Sequence, residues 1–336
     1  MGRRQTDSEL GRCALLILFV MGMISCSFVY FCLSVLFRPL PNSNTHSLGS
    51  NVNRNGGDSI GDEEGEEECC RGIEHLELWG DAVRWGSDFK VNSSRECCMA
   101  CKEMCGREGG SCLCDTWVFC GDREACGSRF GECWLKKQRD TLGPQLHGSG
   151  DKVIWTSGQV FGKTEGIIGL ETEYGMLRVK LLPDCAPHSV IYILELLASR
   201  FCAGCRFYRA ESRGDSWDSE GNRVGHASYG PPFALIQGTL EAYGAEFKDI
   251  PTEACPAIKR GSVAWVGSGP EFFISLANHN EWTGAYTAFG HVLPQDMEIA
   301  DNIAQLPTKS EVFSNVPVSV LEKHVPLRFH RINTSP

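Results

Sequence analysis

Eighteen cysteines carry most of the reactive chemistry available to this 336-residue chain, and eleven of them lie between Cys69 and Cys133. Such density argues against an ordinary reduced cytosolic enzyme and leaves two uses, disulfides or metal. The run ECCMACKEMC places Cys97, Cys101 and Cys105 on one helical stripe with Cys98 beside it. Cys69, Cys70, Cys112, Cys114, Cys120, Cys126 and Cys133 complete the cluster. Cys98-x-x-Cys101 has a zinc-knuckle spacing, but no second CxxC and no closely spaced histidine pair accompanies it, so disulfides are expected and no metal site is assigned. Because eleven is odd, one of these cysteines pairs outside the cluster or stays free. A separate CxxC, Cys202 and Cys205, lacks the βαβ context of a thioredoxin-like centre; a local disulfide is the expected use and thiol exchange the rival. Cys185 and Cys255 are candidates to pair with each other. His279 and His291 stand alone, no Ser/His/Asp order emerges, and no cofactor is called for.

The elements that must carry these residues fall into segments. Residues 1–12 read as a cytoplasmic tail. Residues 13–37 hold 25 residues without a charge, enough at about 1.5 Å per residue to cross a hydrocarbon core of about 30 Å. They read as a transmembrane helix in the lipid bilayer; a cleaved signal peptide has a shorter apolar region. Residues 38–68 are polar, and seven acids without a Lys or Arg fall between Asp58 and Glu68, so this stretch is expected to be a flexible acidic linker. The formal net charge is −10, which argues against nucleic acid as a partner. Flanking Arg and Lys favour a cytoplasmic N-terminus only slightly. The cysteines after the membrane segment and two N-x-Ser/Thr sequons, at Asn92 and Asn333, suit an oxidising and glycosylating lumen. The expectation is a single-pass type II membrane protein of the secretory pathway, in the ER or Golgi lumen or at the cell surface.

Two modules follow, at 69–150 and 160–333. In the first, LWGDAVRW, SSRECCMACK, Trp117 and the closing GECWLKK resemble the PAN/apple family. That resemblance implies a small disulfide-rich α+β fold, a helix on an antiparallel sheet, and a protein or carbohydrate ligand; a mere spacer is the rival reading. In the second, LETEYGMLRVKLL alternates about a Tyr174-Gly175 turn and reads as a hairpin. PDCAPHSVIYILELLAS places Val190, Ile191, Ile193, Leu194 and Leu197 at helical spacing. Short β-like runs follow (CRFYRA, FALIQGTL, GSVAWVG, EFFISLA, YTAFGHVL, VPLRFHRI), with helix-like EIADNIAQL before the last.

Taken in order, these strings are similar to the cyclophilin family from Gly166 to Asn333. The resemblance implies a mainly β fold, an eight-stranded closed barrel capped by two helices, and peptidyl-prolyl cis-trans isomerase activity on proline-containing segments of lumenal proteins. Such a reaction needs no nucleophile, metal or cofactor. A cation donating hydrogen bonds to the prolyl group weakens the double-bond character of the X-Pro amide, while an apolar pocket grips the ring. The family pattern puts the catalytic arginine at Arg209 and a backbone-binding glutamine at Gln237. It puts the pocket floor at Phe273, a wall at Leu235 and the rim at Trp282.

Departures from the pattern are equally plain. Residues 211–232 are inserted after Arg209. Ala234 or Phe233 falls where the family has an aromatic wall, with Ala234 keeping Gln237 in register. Glu271 replaces a Gln and is expected either to hold Arg209 or to compete for its donors. Thr283 replaces a Leu, Tyr286 a His, and the loop in WVGSGPEFF is short. The alternative function is therefore a weak or inactive cyclophilin-like peptide-binding protein with a PAN-like binding arm.

Overall fold

The computed structural model describes residues 69–106, 111–199, 202–225, 230–241, 249–253 and 257–332. The expected membrane segment at 13–37, the linker at 38–68, Cys255 and the Asn333 sequon lie outside them. Among the described residues no helix is long and apolar enough to cross a membrane.

In the first module the cysteine stripe forms only in part: Cys97 and Cys101 share the helix with Cys98, but the helix ends at Lys102 and leaves Cys105 in the bend that follows. Helix α1 (Ser94–Lys102) starts at Ser93, whose side chain accepts from the Glu96 N–H at 3.2 Å, and buries Cys97, Cys98 and Cys101 on its inner face. Cys97–Cys133 and Cys101–Cys114 bind the helix to the sheet behind it, and Cys70–Cys98 ties down the incoming chain. Cys105–Cys112 and Cys120–Cys126 close local loops. The sheet is antiparallel in the order β1-β7-β4-β5-β3, formed by β1 (Ile73–Glu74), β3 (Asp81–Arg84), β4 (Thr116–Phe119), β5 (Cys133–Lys137) and β7 (Thr156–Gln159). A two-stranded ribbon, β2 (Leu76–Leu78) with β6 (Leu146–Ser149), is a separate sheet held against β7, where the Ser157 hydroxyl donates to the Leu76 carbonyl at 2.7 Å, and α2 (Arg123–Cys126) is a single turn. Residues 156–159, left between the modules by the sequence reading, are thus part of this sheet.

The odd cysteine is Cys69, and it pairs across modules with Cys185. The expected Cys185–Cys255 pair does not form, because Cys185 sits where the first module meets the second. There the Arg71 N–H donates to the Asp184 carbonyl at 2.9 Å, and Lys102 Nζ reaches both the Asp184 carboxylate (2.7 Å) and the Cys69 carbonyl (2.9 Å).

The second module is one ten-stranded antiparallel sheet. Its strands are β8 (Ile167–Thr172), β9 (Gly175–Leu181), β10 (Arg206–Glu211), β11 (Leu235–Thr239), β12 (Ser262–Trp265), β13 (Glu271–Ser275), β14 (Ala288–Val292), β15 (Thr308–Phe313), β16 (Val316–Pro326) and β17 (Arg328–Arg331). Their order is β15-β16-β10-β11-β13-β12-β14-β9-β8-β17. The closed barrel expected from the resemblance is not reproduced as a continuous ladder among the described residues. The chain itself joins the two sides instead: β16 pairs with β10, β17 pairs with β8, and Leu327 between them donates to the Cys205 carbonyl at 2.9 Å. Phe207, Trp265, Phe272 and Phe289 fill the interior. Helix α3 (Pro187–Ser199) buries Val190, Ile193, Leu194 and Leu197, while Ile191 is only half-buried. Its first turn is capped from afar by Glu253, which accepts from the His188 and Ser189 N–H groups and the Ser189 hydroxyl. Helix α4 (Met297–Ile303) covers β9. Cys202–Cys205 closes locally just before β10, as expected.

Candidate active site

Residues i and i+2 of a strand share a face, so Arg209 and Glu211 stand together on β10. Opposite them on β11, Gln237 pairs with Arg209, and across the next rung Phe273 of β13 pairs with Gln237. Regular alternation would send Tyr208 to the other face. It does not, because Phe207 pairs with Gly238 and Arg209 with Gln237, which leaves Tyr208 as an extra residue in a β-bulge. A bulge kinks the strand and re-aims side chains. Gly238 is required here, since a Cβ at that position would come within 2.5 Å of the Arg206 carbonyl oxygen.

A directed chain of hydrogen bonds results. Arg209 Nε donates to Glu211 Oε1 at 2.9 Å, Nη2 reaches the same oxygen at 2.8 Å, and Nη1 donates to Gln237 Oε1 at 2.8 Å. Gln237 Nε2 donates to the Tyr208 hydroxyl at 2.6 Å, and that hydroxyl donates to Glu271 Oε2. The phenol pKa is pushed far up, first by burial and then by the Glu271 carboxylate. Glu271 therefore does not hold Arg209 as the sequence suggested; Glu211 does. The Glu211 side chain is 1% exposed, and its oxygens also accept from the Phe233 N–H (2.7 Å) and the Ser319 N–H (3.4 Å). Of five guanidinium N–H groups, two are left without a partner among the described residues.

Those two donors stand beside an aromatic wall. The Arg209 guanidinium carbon lies 5.5 Å from the Phe233 ring centre. Phe233 is 6.2 Å from Trp282, Trp282 is 5.6 Å from Phe273, and Tyr286 is 5.1 Å from Phe273 and 5.3 Å from Trp282. Phe273 is buried, as is Leu235, whereas Trp282, Tyr286 and Phe233 are half-buried at the surface. Ala234 keeps Gln237 in register but is fully buried with φ of +50°. That left-handed backbone turns Phe233, not Ala234, into the wall, which corrects the sequence assignment. Thr283 is exposed and bonds back to the Asn280 carbonyl at 2.8 Å, clear of the pocket. The rim is backed by His279, which stacks on Trp282 at 3.7 Å and meets Trp217 of the insertion edge-on at 4.7 Å. The arrangement can offer N–H donors to a carbonyl or ring nitrogen held against an apolar surface. No group of three or more metal-ligating side chains is formed among the described residues.

Comparison with known proteins agrees with this geometry. Residues 167–325 match the family described as cyclophilin type peptidyl-prolyl cis-trans isomerase/CLD. This stretch is a cyclophilin-type domain. Peptidyl-prolyl cis-trans isomerase-like 3 of Gallus gallus is 26% identical over 151 residues, covering 44% of this chain and 86% of the relative. Its namesake from Rhizopus delemar is 27% identical over 175 residues, covering 50% and 91%. Among solved structures, a cyclophilin type isomerase of Cryptosporidium parvum, crystallised in the presence of the dipeptide Ala-Pro, is 17% identical, covers 49% of this chain and 99% of its own, and has a TM-score of 0.34. The module before the cyclophilin-type domain is disulfide-rich.

Of the six residues singled out for peptide contact, Leu235, Gln237, Glu271 and Phe273 lie on β11 and β13 beside β10, while Trp282 and Tyr286, in the turn before β14, meet the site through Phe273. The sequence reading missed Glu211, Tyr208 and His279. The sequence reading ended this strand at Ala210 and gave Glu211 to the insertion, whereas the strand runs on to Glu211 and sets it two residues from Arg209.

Proposed function

We propose that the cyclophilin-type domain is a peptidyl-prolyl cis-trans isomerase acting on X-Pro segments of other proteins, with Arg209 as its catalytic cation. The observation that carries this reading is an Arg209 guanidinium that keeps two N–H groups without a partner among the described residues and lies 5.5 Å from the Phe233 ring, which continues into Trp282 and Phe273. X-Pro isomerisation crosses a barrier of about 18–20 kcal/mol set by amide resonance. Donors aimed at the prolyl ring nitrogen or carbonyl favour the twisted state in which that resonance is lost. Gln237, with Oε1 fixed by Arg209, keeps an N–H of its amide for the peptide backbone, and Leu235 and Phe273 close the pocket beneath the ring.

The reading extends to the whole chain. Residues 13–37 anchor it in a membrane, the domains face an oxidising lumen, and the disulfide-rich module serves as a PAN-like arm for a protein or carbohydrate ligand. Seven disulfides among the described residues and an exposed Asn92 sequon support the lumenal placement. A second reading, a proline-peptide binder without catalysis, is favoured by one observation: Arg209 already spends three of its five N–H groups on Glu211 and Gln237. Exchange NMR on a set of X-Pro peptides with the full chain separates the two. Accelerated cis-trans exchange establishes the isomerase; peptide resonances that shift while exchange stays at the uncatalysed rate establish the binder.

A further inference from the structure

The insertion after β10 is the largest departure from the family pattern, and its two ends meet on one side chain. Glu211, the last residue of β10, receives the Phe233 N–H on Oε2 at 2.7 Å, the point where the chain returns from the insertion. Its Oε1 holds Arg209 by both Nε and Nη2 and takes the Ser319 N–H of β16 from the other side. The carboxylate is buried, and its position is fixed by two backbone N–H groups, one at the end of the insertion and one on β16. It transmits that position to the guanidinium.

We propose that Glu211 is the positioning residue of the site: it determines which N–H groups of Arg209 face the peptide, and it couples the insertion to the reaction. This rests on the isomerase reading above. A guanidinium bound through Nε and Nη2 to one side, and through Nη1 to Gln237, can present only the remaining N–H of Nη1 and of Nη2. Rotating the fork would direct the committed Nε side at the prolyl group and lose the alignment. Phe233, whose N–H closes the contact, is also the aromatic wall beside the same guanidinium, so donor and wall are set by one anchor.

The test uses the full chain as native protein and as Glu211→Gln and Glu211→Asp variants. Three quantities are read by NMR: peptide Kd, the cis-trans exchange rate of bound X-Pro peptide, and the order and solvent exchange of the Arg209 Nε–H. Misalignment of a reacting group by about 1 Å costs on the order of 10²-fold. Glu211→Gln is therefore expected to slow bound-state exchange by about 10- to 100-fold with Kd changed less than about twofold. It is also expected to release the Arg209 Nε–H into rapid solvent exchange. Glu211→Asp, which keeps the charge but shortens the reach, falls between, and serves alone if the Gln variant does not fold. An unchanged bound-state rate in a folded variant of an active protein overturns the proposal. If native protein gives no acceleration at all, it is the isomerase reading that fails, and the Arg209 signal then decides separately. An Nε–H as ordered in the variant as in native protein refutes the positioning role, and a released one sustains it for peptide binding.

Discussion

At the scale of residues, the Arg209–Glu211 pair sets both chemistry and stability. With the Glu211 side chain 1% and the Arg209 side chain 12% exposed, Arg209→Ala leaves a buried carboxylate without its counter-ion, a change that costs about 3–5 kcal/mol. Urea denaturation should show this loss, and Arg209→Ala with Glu211→Leu should recover part of it by removing the stranded charge; equal midpoints for the single and double variants would contradict the pairing. Wall and floor should separate in the same way. Phe273, 2% exposed, is core as much as pocket, so Phe273→Ala is expected to cost about 3–5 kcal/mol. Phe233→Ala should leave stability nearly unchanged while weakening X-Pro peptide binding on the order of 10-fold, or about 1.4 kcal/mol. Equal effects on binding and folding at both positions would remove the distinction between wall and floor.

At the scale of elements, the sequence was informative where side-chain period alone decides, and silent where backbone geometry does. Strands such as Gly175–Leu181, whose buried residues alternate, and helix α3 were legible because their apolar spacing admits one buried face, and Glu271–Ser275 because it is a short apolar run covered on both faces. Tyr208 was not, because alternation assigns it away from Arg209 and only the bulge brings it back. The exchange of Ala234 for Phe233 as the wall turns on one positive φ, which no composition reveals. The closed barrel was implied by resemblance, and here the chain at Leu327, not a hydrogen-bonded ladder, joins the sheet's two sides. The insertion acts on the rim through Trp217 and His279. Burial holds the His279 imidazole below its ordinary pKa of 6.5, with Glu281 (2.8 Å) pulling the other way and Arg223 adding to the depression. The unfolded chain thus takes up this proton first, and stability falls as pH drops below about 6.5, until the folded ring also protonates. The urea midpoint should decline between about pH 7.5 and about pH 5.5, and His279→Gln should reduce that decline. An identical pH dependence in the variant would exclude His279 as its source.

At the scale of the whole molecule, the Cys69–Cys185 bridge spans 116 positions and joins the disulfide-rich module to the loop that leads into α3. The odd cysteine count made a bridge leaving the cluster an expected outcome, but its partner was beyond sequence, since connectivity follows from which surfaces meet. A crosslink closing so long a loop is worth about 2–5 kcal/mol through the entropy of the unfolded chain. Cys69→Ser with Cys185→Ser should therefore lower the urea midpoint by that equivalent, with the Lys102–Asp184 (2.7 Å) and Lys137–Glu165 (3.0 Å) ion pairs still bridging the modules. An unchanged midpoint would mean that the bridge does not constrain the unfolded chain. The catalytic use of Arg209 is tested most directly by the cis-trans exchange rate of saturating X-Pro peptide on native protein and on Arg209→Lys. Lysine keeps the charge but lacks the planar fork of donors, so the account predicts a bound-state rate lower by about 10²-fold or more with peptide still bound. A lysine variant as fast as native protein would contradict it.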